Sequence, residues 1–218
     1  MPYNCEAQSL AGFIQQVAVA YVAKGYRFYV TGHVPERKDP AHVDQKLVER
    51  YGVDLSQWAR ARRKRAGQAA VQYLRHNRFF VLIATYGRHP IFEEEPSIRD
   101  IRKEPLKYGG YAVSFRHSTI TGRGHASVRI EREEYLRLKS YFLELAAHRT
   151  SAALTDLFRA LPYEPYAPIR RQLLTILRAV NRSRVAAGFE SVPRSCLRFH
   201  RRSVRVFASA ELGLEEAA

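Results

Sequence analysis

The chain has 218 residues, 46% of them hydrophobic and 24 of them Phe or Tyr, which excludes a basic disordered tail and bounds the fold at one large domain or two small ones. Its 36 basic residues, 29 Arg and 7 Lys, outweigh 21 acidic ones for a net charge of +15. No apolar run reaches the ~18 residues of a membrane span, and Cys5 and Cys196 have no ligand-spaced neighbours, which excludes a zinc site built on cysteine. Two isolated thiols fit a reducing compartment. The apolar stretch Leu10 to Val22 is broken by Gln15 and Gln16 and has Cys5 and Glu6 in front, not a basic segment. It does not read as a signal peptide, and the expected location is cytoplasmic.

Residues 7–24 read as an amphipathic helix, with Leu10, Ile14, Val17 and Tyr21 on one face and Gly25 as the stop. Residues 26–34 alternate and are rich in β formers, so a strand follows. Asp39-Pro40 marks a helix start, Val43, Leu47 and Val48 its buried stripe, and Gly52 its end. Asp54, with Gln57 three residues on, suggests the cap of a second helix. It runs through Trp58 into Arg60, Arg62, Arg63, Lys64 and Arg65 and stops at Gly67, with Trp58 as its expected anchor to the core.

Residues 69–75 and 78–86 flank His76-Asn77 as a tight hairpin. Residues 87–106 are irregular and charged, and 108–117 with 125–130 form a second hairpin around Thr121 to Gly124. From Glu131 the pattern turns helical, with helices expected at 131–145, 151–161 and 168–187. Residues 195–207 alternate again and suggest a short terminal hairpin, after which the chain turns acidic. The expected class is α+β: a mainly antiparallel sheet with covering helices on one side, followed by an Arg-rich helical C-terminal part. The candidate boundary separates residues 1–149 from 150–218.

An excess of Arg suits a polyanion, because the planar guanidinium fork matches phosphate and each neutralised phosphate releases counterions. The run Arg60, Arg62, Arg63, Lys64, Arg65 carries five charges in six residues with no acid among them. Compensation of a helix dipole needs only one or two of these, each worth roughly 0.3–1 kcal/mol. A second basic group lies between residues 159 and 207, where 11 Arg face two acids, Glu164 and Glu190. Arg170, Arg171, Arg178, Arg182 and Arg184 belong to the last helix. Arg198, Arg201, Arg202 and Arg205 interleave with Phe199 and Phe207. These residues are the candidate nucleic-acid contacts, for DNA or RNA alike.

Tyr73, Phe79, Phe80, Tyr86, Tyr108, Tyr111 and Phe115 load the strands with aromatics, which serve either as core or as stacking platforms for bases. His76, His89 and His117 each follow an Arg, and His125 sits in a hairpin turn. Together with Tyr135 and Lys139 they are the raw material for a nuclease or a strand transferase of a mobile element. No His-x-His pair, P-loop, GxGxxG or GxSxG occurs, and Glu93, Glu94 and Glu95 cannot all converge on one metal. The primary expectation is therefore a phosphate-contacting nucleic-acid-binding protein without cofactor, metal or membrane. The alternatives are a nucleic-acid-processing enzyme and a structural component of a ribonucleoprotein.

Overall fold

A computed structural model describes residues 3–119 and 121–208; the acidic stretch 209–218 lies outside them. The fold is α+β with two antiparallel sheets, one of four strands and one of three. The chain forms two compact units, one of residues 1–100 with 204–218, the other of residues 101–203. The sequence boundary at 149/150 falls inside the second unit, in the turn between two of its helices.

In the first unit, α1 (Leu10–Gln15) is capped by Ser9 and continues through a π-helical turn, Gln16–Tyr21, and a 3-10 turn, Val22–Lys24. Gly25 ends it at φ 100°, a left-handed value that favours a residue without Cβ. Then follow β1 (Phe28–His33), α2 (Pro40–Arg50), α3 (Gln57–Arg65), β2 (Val71–His76), β3 (Phe79–Ala84), the short α4 (Ile91–Glu94) and β4 (Arg99–Asp100). The strand order is β2-β3-β1-β4. The β2–β3 turn places Asn77 at φ 53°, which Asn tolerates.

Helices cover both faces of this sheet, not one. Phe13 of α1 packs on Phe79, ring centroids 5.7 Å apart. On the opposite face Tyr73, Leu82 and Ala84 join Tyr51, Val53 and Ile91, with Leu47 and Val48 of α2 packed against them. That two-sided cover explains why β2 and β3 read as nearly continuous apolar runs. The expected stripe of α2 is corrected in one respect: its fully buried residue is Asp44, while Val43, Leu47 and Val48 are half-buried. Asp44 accepts hydrogen bonds from Tyr73 Oη at 2.5 Å and Arg75 Nε at 2.9 Å, and Arg75 Nη1 also binds Glu6 at 2.9 Å. Burial, then the neighbouring Asp44 carboxylate, pushes the Cys5 thiol up to about 12, so it is inert at neutral pH.

The second unit holds β5 (Leu106–Tyr108), β6 (Tyr111–His117), β7 (Gly124–Ile130), α5 (Arg132–Leu145), α6 (Ser151–Arg159) and α7 (Ala167–Ala186). Glu131 caps α5 by accepting from the amides of Glu133 and Glu134. Phe142 of α5 stacks on Phe158 of α6 with centroids 4.0 Å apart. α7 buries Ile169, Leu173, Ile176, Leu177, Val180 and Arg184. Its Gln172 amide brackets the backbone of Ile130 through bonds of 2.9 and 3.0 Å.

The terminal hairpin expected over 195–207 does not form. Arg194–Cys196 is a 3-10 turn, and the described residues beyond it, 197–208, carry no strand. In the first unit the Gln15 amide brackets Val204 by bonds of 2.8 and 3.1 Å, and the Gln8 amide donates to Val206 O at 2.9 Å. Side-chain and single backbone contacts thus pair Val204 N, Val204 O and Val206 O without a sister strand.

Candidate nucleic-acid interface

α3 begins at Ser56, whose hydroxyl accepts from the Ala59 amide at 3.2 Å, so the cap is Ser56 and not Asp54. The helix buries no residue. Its basic side chains point in three directions. Arg60 donates to Leu55 O, and Lys64 lies 4.8 Å over the Tyr26 ring with its Nζ 3.5 Å from Lys24 O. Burial and then the nearby Arg60 charge lower the Lys64 pKa. These two attach α3 to the unit. Arg63 turns toward a cleft. Arg62 and Arg65 are exposed and have no side-chain partner among the described residues.

Trp58 does not anchor α3: it is 82% exposed. At about 100° per residue, Arg62 and Arg65 lie within about 40° of it, one and two turns further along the same face. The outward face of α3 is therefore an indole followed by two unpaired guanidiniums. The signal was present in the sequence, since the helical neighbours of Trp58 at 61, 62 and 65 are Ala, Arg and Arg, which offer it no apolar stripe.

The cleft, of about 330 Å³, is lined by Glu49, Arg50, Tyr51 and Gly52 at the end of α2, by Arg63, by Gln68 and Ala69, and by Arg88, His89 and Pro90. Gly87 makes this crossing possible. At φ 130°, a Cβ there would sit 2.4 Å from the Ala69 nitrogen. With no side chain in the way, the Arg88 amide reaches Gly67 O at 3.0 Å and the Ala69 amide reaches Arg88 O at 3.1 Å. Arg50 pairs with Glu94 at 2.8 Å, whereas the Arg88 side chain, exposed, has no partner among the described residues.

His89 and Tyr51 line this basic cleft, but both are engaged. His89 Nδ1 accepts from the Ile91 amide at 3.1 Å, and Nε2 lies 3.2 Å from Tyr51 O, which makes Nε2 the protonated nitrogen. Burial lowers the His89 pKa, with Tyr51 O opposing and Arg63 reinforcing the shift, so the ring is neutral at pH 7. Tyr51 donates to Glu95 Oε1 at 2.5 Å, and burial and then Glu95 raise its pKa. The arrangement suits anion recognition, and neither hydroxyl nor imidazole is activated as a nucleophile or base. His76 lies elsewhere in the first unit, beside Phe13 at 6.3 Å, and His117 and His125 belong to the second. Among the described residues no three His, Cys, Asp or Glu side chains converge as a metal site would require.

The sheet aromatics are mostly structural. Tyr73, Phe79 and Tyr111 are buried, and the rings of Phe80 and Phe115 lie against Gly32 and Gly124. Tyr86 is exposed, edge-on to Phe28 at 4.9 Å.

The C-terminal arginines divide. Arg184 is buried and donates to Glu190 O, Ala146 O and Arg149 O at 2.6, 2.6 and 2.7 Å, so it is removed from the set of surface contacts. Those carbonyls include the end of α5, where a cation opposes the helix dipole. Arg198 donates to Leu161 O and Tyr163 O at 2.8 and 3.1 Å, Arg170 donates to Phe199 O at 2.6 Å, and Arg201 stacks on Tyr166 at 4.9 Å. Arg205 is exposed and has an interaction of its own. Arg171, Arg178, Arg182 and Arg202 are exposed without a side-chain partner among the described residues. The first three, seven and four residues apart, share one stripe of α7 about 40° wide.

No helix among the described residues is long and apolar enough to cross a membrane. No protein family, curated protein or solved structure matches the chain, so its function is read from its own residues.

Proposed function

We propose that the protein binds nucleic acid at strands with unpaired bases, stacking a base on Trp58 while Arg62 and Arg65 hold the neighbouring phosphates. The observation that carries this reading is the outward face of α3, an 82% exposed Trp followed along the same face by two unpaired guanidiniums, on a helix that buries nothing. Packing explains none of these side chains, and exposing an indole forfeits the burial energy it would gain in a core. Stacking on a base recovers about 1–3 kcal/mol and is indifferent to sequence. A duplex would first have to unstack, at a few kcal/mol per step, which favours single strands, loops and ends. In the second unit, Arg171, Arg178 and Arg182 form an exposed basic stripe on a core helix, which adds to the positive field without setting the site.

A structural role in a ribonucleoprotein is the second reading, favoured by the exposed, unpartnered arginines that each unit carries. Ultraviolet cross-linking of the purified protein to a single-stranded oligonucleotide, followed by peptide mapping, tests the first. The expected adduct lies in the peptide that contains Trp58. Adducts confined to the second unit would contradict it.

A further inference from the structure

We propose that the cleft at the end of α2 and α3 is a phosphomonoester pocket, holding the terminal phosphate of a strand or that of a free mononucleotide. In its strand-end form this rests on the nucleic-acid reading above.

The charge of the lining points to an anion. Arg50, Arg63 and Arg88 face one carboxylate on the lining, Glu49, which already accepts from Gln45 Nε2 at 2.9 Å. With Glu49 on the lining and Glu94 paired to Arg50, the three guanidiniums leave a local excess of one positive charge. Arg50 is held in place by Glu94, which also screens it, so Arg63 and Arg88 are the two donors open to a ligand. They come from separate segments, the end of α3 and the loop after β3, which the Gly87 crossing brings to one cleft. Two guanidinium forks from two directions suit an oxygen cluster with several lone pairs. A phosphomonoester carries about −1.5 to −2 at pH 7 and offers three such oxygens. An internal phosphodiester carries a single negative charge and fewer free oxygens.

Shape agrees with charge. At about 330 Å³ the cleft lies at the small end of ligand pockets, which suits a phosphate with its sugar and not a run of chain. Among the described residues the only aromatic ring on the lining other than His89 is Tyr51, which is 1% exposed, so they offer no platform for a base. Recognition then rests on the phosphate, with little preference among bases. The neutral His89 fixes the wall through its two backbone contacts and does not take part in binding.

The test compares one short single-stranded oligonucleotide carrying a 5′-phosphate, a 3′-phosphate or hydroxyls at both ends, by fluorescence anisotropy with the full chain. Free adenosine 5′-monophosphate serves as competitor and, separately, as ligand in thermal-shift measurements. A terminal phosphate is expected to raise affinity about tenfold, the scale of one or two charge-assisted hydrogen bonds. Arg88→Ala and Arg63→Ala should each remove that increment, and the mononucleotide should compete for it. Arg88 is exposed, so an unchanged melting temperature for Arg88→Ala confirms that the fold is intact. Equal binding of phosphorylated and hydroxyl strands would overturn the pocket and leave the nucleic-acid reading standing. A terminal-phosphate preference that survives both substitutions would overturn it as well. Failure of every oligonucleotide to bind, with an Arg88-dependent thermal shift by the mononucleotide, would uphold the pocket for free mononucleotides and remove the nucleic-acid reading.

Discussion

α3 and α7 are both arginine-rich, yet their arginines answer to different demands. α7 is a core helix, burying Ile169, Leu173, Ile176, Leu177 and Val180, and the wet side of such a helix is charged whatever the protein does. α3 buries nothing and is attached through Arg60 and Lys64. On its outward face, an exposed Trp and two unpaired arginines have no structural task. The lesson is that charge density alone does not locate an interface; what matters is the charge left over once packing and carbonyl contacts are satisfied.

The largest expected effect lies within α7 and divides its arginines. Arg184→Ala removes the donor to three backbone carbonyls and should cost about 3 kcal/mol of stability, since a hydrogen bond to a charged group contributes about 1.5–3 kcal/mol. Arg178→Ala and Arg182→Ala should stay within about 0.5 kcal/mol of the parent. Urea melts of the three variants measure both. Equal midpoints for all would show that Arg184 is as dispensable as its exposed neighbours.

Next in size is Trp58→Ala. It should weaken binding to a single-stranded oligonucleotide by about 1–3 kcal/mol while leaving the urea midpoint unchanged. Loss of stability without loss of affinity would return Trp58 to the role of an anchor and erase the contrast between the helices.

Replacing Arg171, Arg178 and Arg182 together by Ala should lower the slope of log affinity against log salt by less than one unit, since these residues decorate a core helix. A fall of about 0.7 per arginine for single strands would place α7 in the interface on equal terms.

Local signals made most elements legible. Asp39-Pro40 did start α2, Glu131 did precede α5, and the apolar period traced α7. The same period, followed from Val180 by four residues, reaches Arg184 and marks it as buried, so its removal from the contact set was available to a stricter reading. The outward position of Trp58 was available too, from the Ala and Arg at its helical neighbours. Three features were not. The bracketing of Val204 by Gln15 joins residues 189 apart in sequence, which alternation cannot foresee. The pairing of Arg75 with Asp44 depends on α2 lying against β2. The cleft depends on Gly87 letting one loop cross another, and only tertiary closure brings Arg63 and Arg88 to one site.

If the unpaired arginines of α3 bind phosphate, their loss must show in the salt dependence of binding. The most direct measurement is the salt dependence of affinity for one single-stranded oligonucleotide, wild type against Arg62→Ala/Arg65→Ala. The expected result is weaker binding at low salt and a slope shallower by about 1.4, two contacts at about 0.7 each. An unchanged affinity and an unchanged slope would contradict it and take α3 out of the interface.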